Sequence, residues 1–213
     1  MNKNYLVKIQ KAFALLLFGS SLIFLCSCAS VGTKFRPPDV DTLQFGKMQT
    51  SDALTLFGKP HFMVKDTTAD GSFEIYRYEY TEIVFGNVSQ RVLLLEFKEG
   101  KLNGYFCWSS FKQDKSRFDP KAVDKLKAGT GKLTNSDVLA LVGKPDGKAL
   151  CPSIIVDFKE RCAKNTEVWG WYMKDNISVW DPENIKITEL FVSFDANSKV
   201  SDVESEETTE PAR

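Results

Sequence analysis

Apolar positions along this chain follow two periods, and one phrase written twice marks the switch between them. Residues 46–60 read GKMQTSDALTLFGKP and residues 131–145 read GKLTNSDVLALVGKP, nine identities in fifteen positions at a fixed offset of 85. Within each copy the apolar spacing is helical, carried by Ala53, Leu54, Leu56 and Phe57 in the first and by Val138, Leu139, Leu141 and Val142 in the second. Thr134 stands at a cap with Asp137 three residues on, the capping-box pattern; in the first copy Gln49 occupies that place and Thr50 or Ser51 is expected to cap. Gly58 and Gly143 are placed to end each helix, and Pro60 and Pro145 forbid its continuation.

Elsewhere the period is two. After a loose polar stretch ending near Gly71, Tyr76, Tyr78 and Tyr80 alternate with Ile75, Arg77 and Glu79, which predicts a strand over 72–84. Leu93, Leu95 and Phe97 continue the pattern over 90–97, Glu99-Gly100-Lys101 reads as a hairpin turn, and 102–108 follows as a third strand. The second half repeats the plan. Residues 121–128 predict a helix, 154–158 a strand, and 168–173 a strand with Trp169 and Trp171 where Tyr76 and Tyr78 stood. Residues 188–194 predict a last strand, with Leu190, Val192 and Phe194 in the places of Leu93, Leu95 and Phe97. With 41–45 as a further helix, the expected fold is α+β: two tandem ααβββ repeats, each a short helix pair packed on a small antiparallel sheet. The expected segments are a signal peptide at 1–27, a tether at 28–40, repeats at 41–111 and 120–200, and a disordered acidic tail at 201–213.

Composition changes the picture at the amino terminus. Lys3, Lys8 and Lys11 precede an apolar run, Ala12 to Leu25, that is short for a permanent span and has the order of an export signal. Its end, Leu25-Cys26-Ser27-Cys28, resembles the bacterial lipobox, which implies cleavage before Cys28 and acylation of that cysteine; an ordinary signal peptide or an uncleaved anchor are the alternatives. With Ala29 next, the resemblance implies the periplasmic face of the outer membrane. Export places Cys107, Cys151 and Cys162 in an oxidising compartment. Cys151 and Cys162 flank one predicted strand and either form a bridge or remain buried thiols, while Cys107 reads as a small buried hydrophobe. Equal numbers of acidic and basic residues, 28 of each, give no footprint for nucleic acid.

The helix ending in Leu-x-Gly-Lys-Pro, entered through Gly46-Lys47-Met48 or Gly131-Lys132-Leu133, resembles the phrase of the SmpA/OmlA (BamE) lipoproteins, whose fold is shared with β-lactamase inhibitory proteins. The resemblance implies protein binding without chemistry. Its partners would be envelope proteins, the β-barrel assembly machinery among them, with the membrane reached through the lipid anchor. Two copies in tandem look more like the inhibitory proteins, which present a sheet face to an enzyme.

Residue chemistry points the same way. His61 follows the Gly-Lys-Pro stop and has Asp146 as its counterpart, no His/Cys set has metal-ligand spacing, and Gly131-Lys132 lacks the Ser or Thr of a phosphate loop. No catalytic residue, metal or cofactor is expected. What the chain offers is aromatic surface, and Trp108, Phe111, Trp171, Trp180 and Phe191 are the candidate binding residues. On the sheet, Leu94, Glu96, Phe191 and Ser193 are expected to face outward. The expected function is a non-enzymatic binding or scaffold module in outer-membrane protein assembly or envelope integrity. A periplasmic inhibitor or ligand-binding lipoprotein is the alternative.

Overall fold

The computed structural model describes residues 28–38, 42–85, 87–114, 118–163, 165–174, 177–178 and 185–210. Over these residues the chain forms one antiparallel sheet of ten strands with four short α-helices. The elements are β1 (Cys28–Gly32), α1 (Thr50–Phe57), β2 (Phe62–Thr68), β3 (Gly71–Val84), β4 (Asn87–Lys98) and β5 (Lys101–Ser109). Then come α2 (Pro120–Ala128), α3 (Asn135–Val142), β6 (Gly147–Leu150), α4 (Val156–Lys159), β7 (Glu167–Lys174), β8 (Ile177–Ser178), β9 (Ile185–Phe194) and β10 (Val200–Glu210). The strand order is β1-β3-β4-β5-β6-β7-β9-β10, with β2 lying end to end with β1 along β3 and β8 pairing the start of β4.

The expected pair of ααβββ repeats is therefore not what forms. Residues 44–48 make a turn rather than a helix, Lys47 and Met48 donating to the carbonyl of Gln44, so among the described residues the first half has one α-helix. Nor are there two small sheets. β5 pairs with β6 through Gly104 and Ala149, and an edge that two separate sheets would each expose is satisfied by the other half. The segment expected as a strand at 154–158 is mostly the helical turn α4. Residues expected as a disordered tail form β10, held by β9 and by Val203, which is buried against the helices. Cys28 to Gly32, expected in a free tether, are a strand of the sheet.

The duplicated phrase does the same work twice. Gly46 N–H donates to Leu102 O at 2.8 Å and Gly131 N–H to Val200 O at 2.7 Å; Leu102 and Val200 return bonds to Met48 O and Leu133 O. Backbone bridges link Gln49 to Lys101 and Thr134 to Lys199. Asp52 and Asp137 accept the cap N–H of Gln49 and Thr134, both at 2.8 Å, so Gln49 itself occupies the first cap position. Each phrase thus clips a short helix to the strand that follows the β-hairpin.

One sheet face carries the helices. Over the first half Ala53, Met48 and Leu43 bury Tyr76, Tyr78, Leu93, Leu95, Phe97, Leu102 and Tyr105. Over the second half Leu126, Val138 and Val142 bury Trp171, Leu190, Val192, Phe194 and Val200. Equivalent residues pair equivalently, Tyr78 with Leu93 and Trp171 with Leu190. The opposite face is covered at its centre by a lobe, residues 151–165, whose Ile155 and Phe158 pack on Phe106, Ala149, Val168 and Phe191. Gly147 makes room for it, since an added Cβ would stand 2.2 Å from Phe106 and 2.8 Å from Phe158.

Candidate binding surface

The lobe is fixed by a covalent bond and a buried carboxylate. Cys151 and Cys162 are joined by a disulfide, and Cys107 is a free, buried thiol that desolvation pushes well above its ordinary range. Glu96 is fully buried, and its carboxylate accepts from the backbone N–H groups of Ile154 and Ile155 at 2.6 and 3.0 Å. Ser153 Oγ donates to it at 2.9 Å and Asn103 Nδ2 at 2.6 Å. Asn103 Nδ2 also reaches the carbonyls of Leu150 and Pro152. Both carboxyl oxygens of this buried side chain therefore have hydrogen-bond partners, Oε1 from Asn103 and Oε2 from Ser153, Ile154 and Ile155.

This lobe removes most of the expected outward face. Glu96, Phe191 and Ser193 are buried beneath it or beside it, and Leu94 is half-buried at its margin. Arg161 lies over the ring of Phe191 at 3.8 Å. Of the expected aromatic patch, Trp171 is fully enclosed in the helical core and Phe111 is buried against Tyr80, with the Arg91 guanidinium 4.7 Å from its ring. Trp108 is half-buried beside Tyr172, ring centroids 5.7 Å apart. Trp180 lies outside the described residues. The structure does not bring the four described residues, Trp108, Phe111, Trp171 and Phe191, together as one exposed surface.

Exposed apolar surface collects elsewhere. Nine large hydrophobic side chains are exposed among the described residues, and seven of them precede residue 86: Val31, Leu54, Leu56, Phe62, Met63, Val64 and Phe85. Three stand in a row on β2, where Phe62 is 61% and Met63 51% exposed. The strand exists because Pro60 stops α1 and returns the chain beside β3, pairing Phe62 with Arg77, Met63 with Tyr76 and Val64 with Ile75. Among the described residues β3 is its only strand partner, so β2 is an edge.

By this register Phe62 and Val64 share the lobe face with Ile75, while Met63 lies on the helical face. Ile75, Leu94, Trp108 and Tyr172 then carry half-buried apolar surface from β2 to the lobe. Charge interrupts this strip at Arg77, which stands between Phe62 and Leu94 in register and pairs with Glu79, while Lys65 pairs with Glu74 at 2.9 Å beside Val64. Edge lysines of this kind oppose indiscriminate strand pairing. Sequence inspection missed β2 because nearly all its positions are exposed and no polar–apolar alternation marks it; the run Phe62-Met63-Val64 was the available signal.

His61 sits at the join of β1 and β2, its Nδ1 accepting the Glu79 N–H at 3.3 Å. Among the described residues no group of three or more His, Cys, Asp or Glu side chains is arranged to hold a metal. A cleft of about 630 Å³ lies between the β2–β3 turn and the lobe, lined by Thr68, Asp70, Phe73, Ser153, Lys159 and Asn165 among others.

No protein-family model matches the chain and no curated protein matches it, so the SmpA/OmlA resemblance of the repeated phrase gains no support from sequence comparison. Among solved structures the chain is similar to one from Streptococcus mutans described as a "putative beta-lactamase inhibitor protein". That likeness has a TM-score of 0.43 and 12% sequence identity, and it covers 74% of this chain and 82% of the other. At that level the likeness carries no inference about function.

Proposed function

We propose that this protein is a lipid-anchored, non-enzymatic binding module of the bacterial cell envelope, and that the β2 edge with its adjoining apolar strip is its contact surface. The observation that carries this is the row of exposed apolar side chains, Phe62, Met63 and Val64, on a strand whose outer backbone edge is open among the described residues. An extended segment of a partner laid along β2 would gain backbone hydrogen bonds from that edge and bury alternate side chains on either face. The lipobox ending at Cys28 supports the anchor, and the partners in reach of it are envelope proteins.

The test is crosslinking from β2 in living cells, with a photoreactive residue at Lys65 and, as control, at Lys127 on α2. Proteins recovered from position 65 alone, and lost with Phe62→Ser/Val64→Ser at unchanged urea stability, support the reading. Barrel-assembly components among them would specify a role in outer-membrane protein assembly. A single soluble enzyme would specify an inhibitor. Equal recovery from both positions, or none from either, would overturn the β2 assignment.

A further inference from the structure

Resting on the lipid-anchor reading, we infer a second interaction surface, the tip of the β3–β4 hairpin, whose partner is the lipid bilayer itself. The residues after Cys28 are not a free tether. β1 is hydrogen-bonded along β3, with the backbone of Cys28 opposite Val84 and Gly32 opposite Tyr80. At Gly32 the chain turns with φ +89, where an added Cβ would meet the Glu79 carbonyl oxygen at 2.2 Å. It then runs back over the helical face. There Phe35 packs on Tyr78 and gives its carbonyl to Arg91, which is paired in turn with the buried Asp114. The segment after the acylation site is thus held at both ends, and no free linker separates Cys28 from the sheet.

Acyl chains on Cys28 start from a backbone position one residue short of the hairpin tip in register. The tip must accompany them to the bilayer surface. Its composition fits that place. Phe85, at the turn, is 71% exposed, Val31 on β1 is 70% exposed, and Ile83 and Val84 are half-buried. Of the described residues in 28–33 and 80–90, Glu82 is the one charged side chain. The other end of the same hairpin carries Asp66, Asp70, Lys98, Glu99 and Lys101. β3 has 14 residues, so the two ends are about 43 Å apart at the usual rise per strand residue. The strands therefore point away from the bilayer, with Phe85 among the head groups and the cleft beside Asp70 at the far end. An aromatic ring on a neutral tip suits the interfacial zone and requires no anionic lipid.

The experiment uses the full-length protein purified from envelopes and reconstituted in phosphatidylethanolamine–phosphatidylglycerol vesicles. Phe85→Cys and Asp70→Cys are labelled with an environment-sensitive fluorophore, without reductant so that Cys151–Cys162 stays intact. Nitroxide-bearing lipids should quench the label at 85 at least threefold more than the label at 70, whether or not phosphatidylglycerol is present. Gly32→Ala, which loosens β1 from β3, should reduce that difference while the protein still floats with vesicles. If the acylated protein floats and both labels are quenched alike, the tip is not a membrane surface and the anchor reading survives. If mass spectrometry finds Cys28 unacylated and the protein does not float, the anchor reading fails and this inference with it.

Discussion

The backbone N–H of Ile154 meets the carboxylate of Glu96 at 2.6 Å, and the two residues belong to different halves of the duplicated chain. The equivalent of Glu96 in the second half is Ser193, so the carboxylate marks where the copies diverged. Glu96→Ala strands the N–H of Ile154 and removes one acceptor each from Ile155 N–H, Ser153 Oγ and Asn103 Nδ2, although Ile155 keeps Ser153 Oγ and Asn103 keeps the Leu150 and Pro152 carbonyls. The expected cost is about 3 kcal/mol or more, read as a fall in the urea midpoint. Glu96→Gln keeps one acceptor oxygen and should cost less. Equal stability of Glu96→Ala and the wild type would show that the lobe is not held this way.

The disulfide closes a loop of 11 residues whose first part is already gripped by Glu96. Chain entropy for a loop of this size gives about 3 kcal/mol of stabilisation as an upper figure. Cys151→Ser/Cys162→Ser should therefore unfold at a lower denaturant concentration. Its amide exchange should rise most in 159–165 and least at Ile154 and Ile155. Uniform acceleration across the lobe would assign the grip to the disulfide rather than to Glu96.

Arg91 and Asp114 form an ion pair in which both side chains are less than a tenth exposed, with Ser109 Oγ donating to the same carboxylate at 2.7 Å. Removing one partner leaves a buried charge, so Asp114→Ala should cost about 3–5 kcal/mol. Replacing both with apolar residues should cost less than the sum of the single changes. A double-mutant cycle measures that coupling, and additive effects would show the pair to be independent.

Acid should loosen the second helix clip. Hydrogen bonds from the Thr134 N–H and hydroxyl hold Asp137 below its ordinary value of 3.8, and the Lys199 and Asn197 N–H groups act likewise on Asp195. A folded-state pKa below the unfolded one contributes stability above pH 3.8 that is lost as pH falls through the folded value. Urea midpoints should decline below about pH 4, and Asp137→Asn/Asp195→Asn should lower the midpoint at pH 6 while flattening that decline. An unchanged acid slope in the double variant would place the sensitivity elsewhere.

The sequence made the helix clips legible because capping residues, stripe, glycine and proline all lie within fifteen positions. Alternation of large apolar residues marked β3, β4, β7 and β9, and the Glu99-Gly100-Lys101 turn marked β5. β1, β2 and β10 carried no such mark, since an edge strand needs backbone bonds from one neighbour and little side-chain burial. The run 154–158 was ambiguous, an apolar stretch short enough for a strand and used as a helical turn. The candidate surface was missed for a related cause. Large aromatics such as Trp171 and Phe191 signal burial as readily as binding, and the lobe covering Phe191 comes from a stretch with no counterpart in the first half: Pro60 to Tyr78 spans 18 residues, Pro145 to Trp171 spans 26.

β1 also has a mechanical meaning. It enters the sheet at the tip and runs inward, antiparallel to β3, from Cys28 opposite Val84 to Gly32 opposite Tyr80. A pull on Cys28 directed out of the tip acts along the strand axis. The backbone bonds of all five register pairs then resist in shear, together, instead of opening one after another as they would under a sideways tug. A tail joined at the same residue through a loose linker would transmit no such load. Docked as it is, the strand bears a load applied along its axis at Cys28 without peeling from β3.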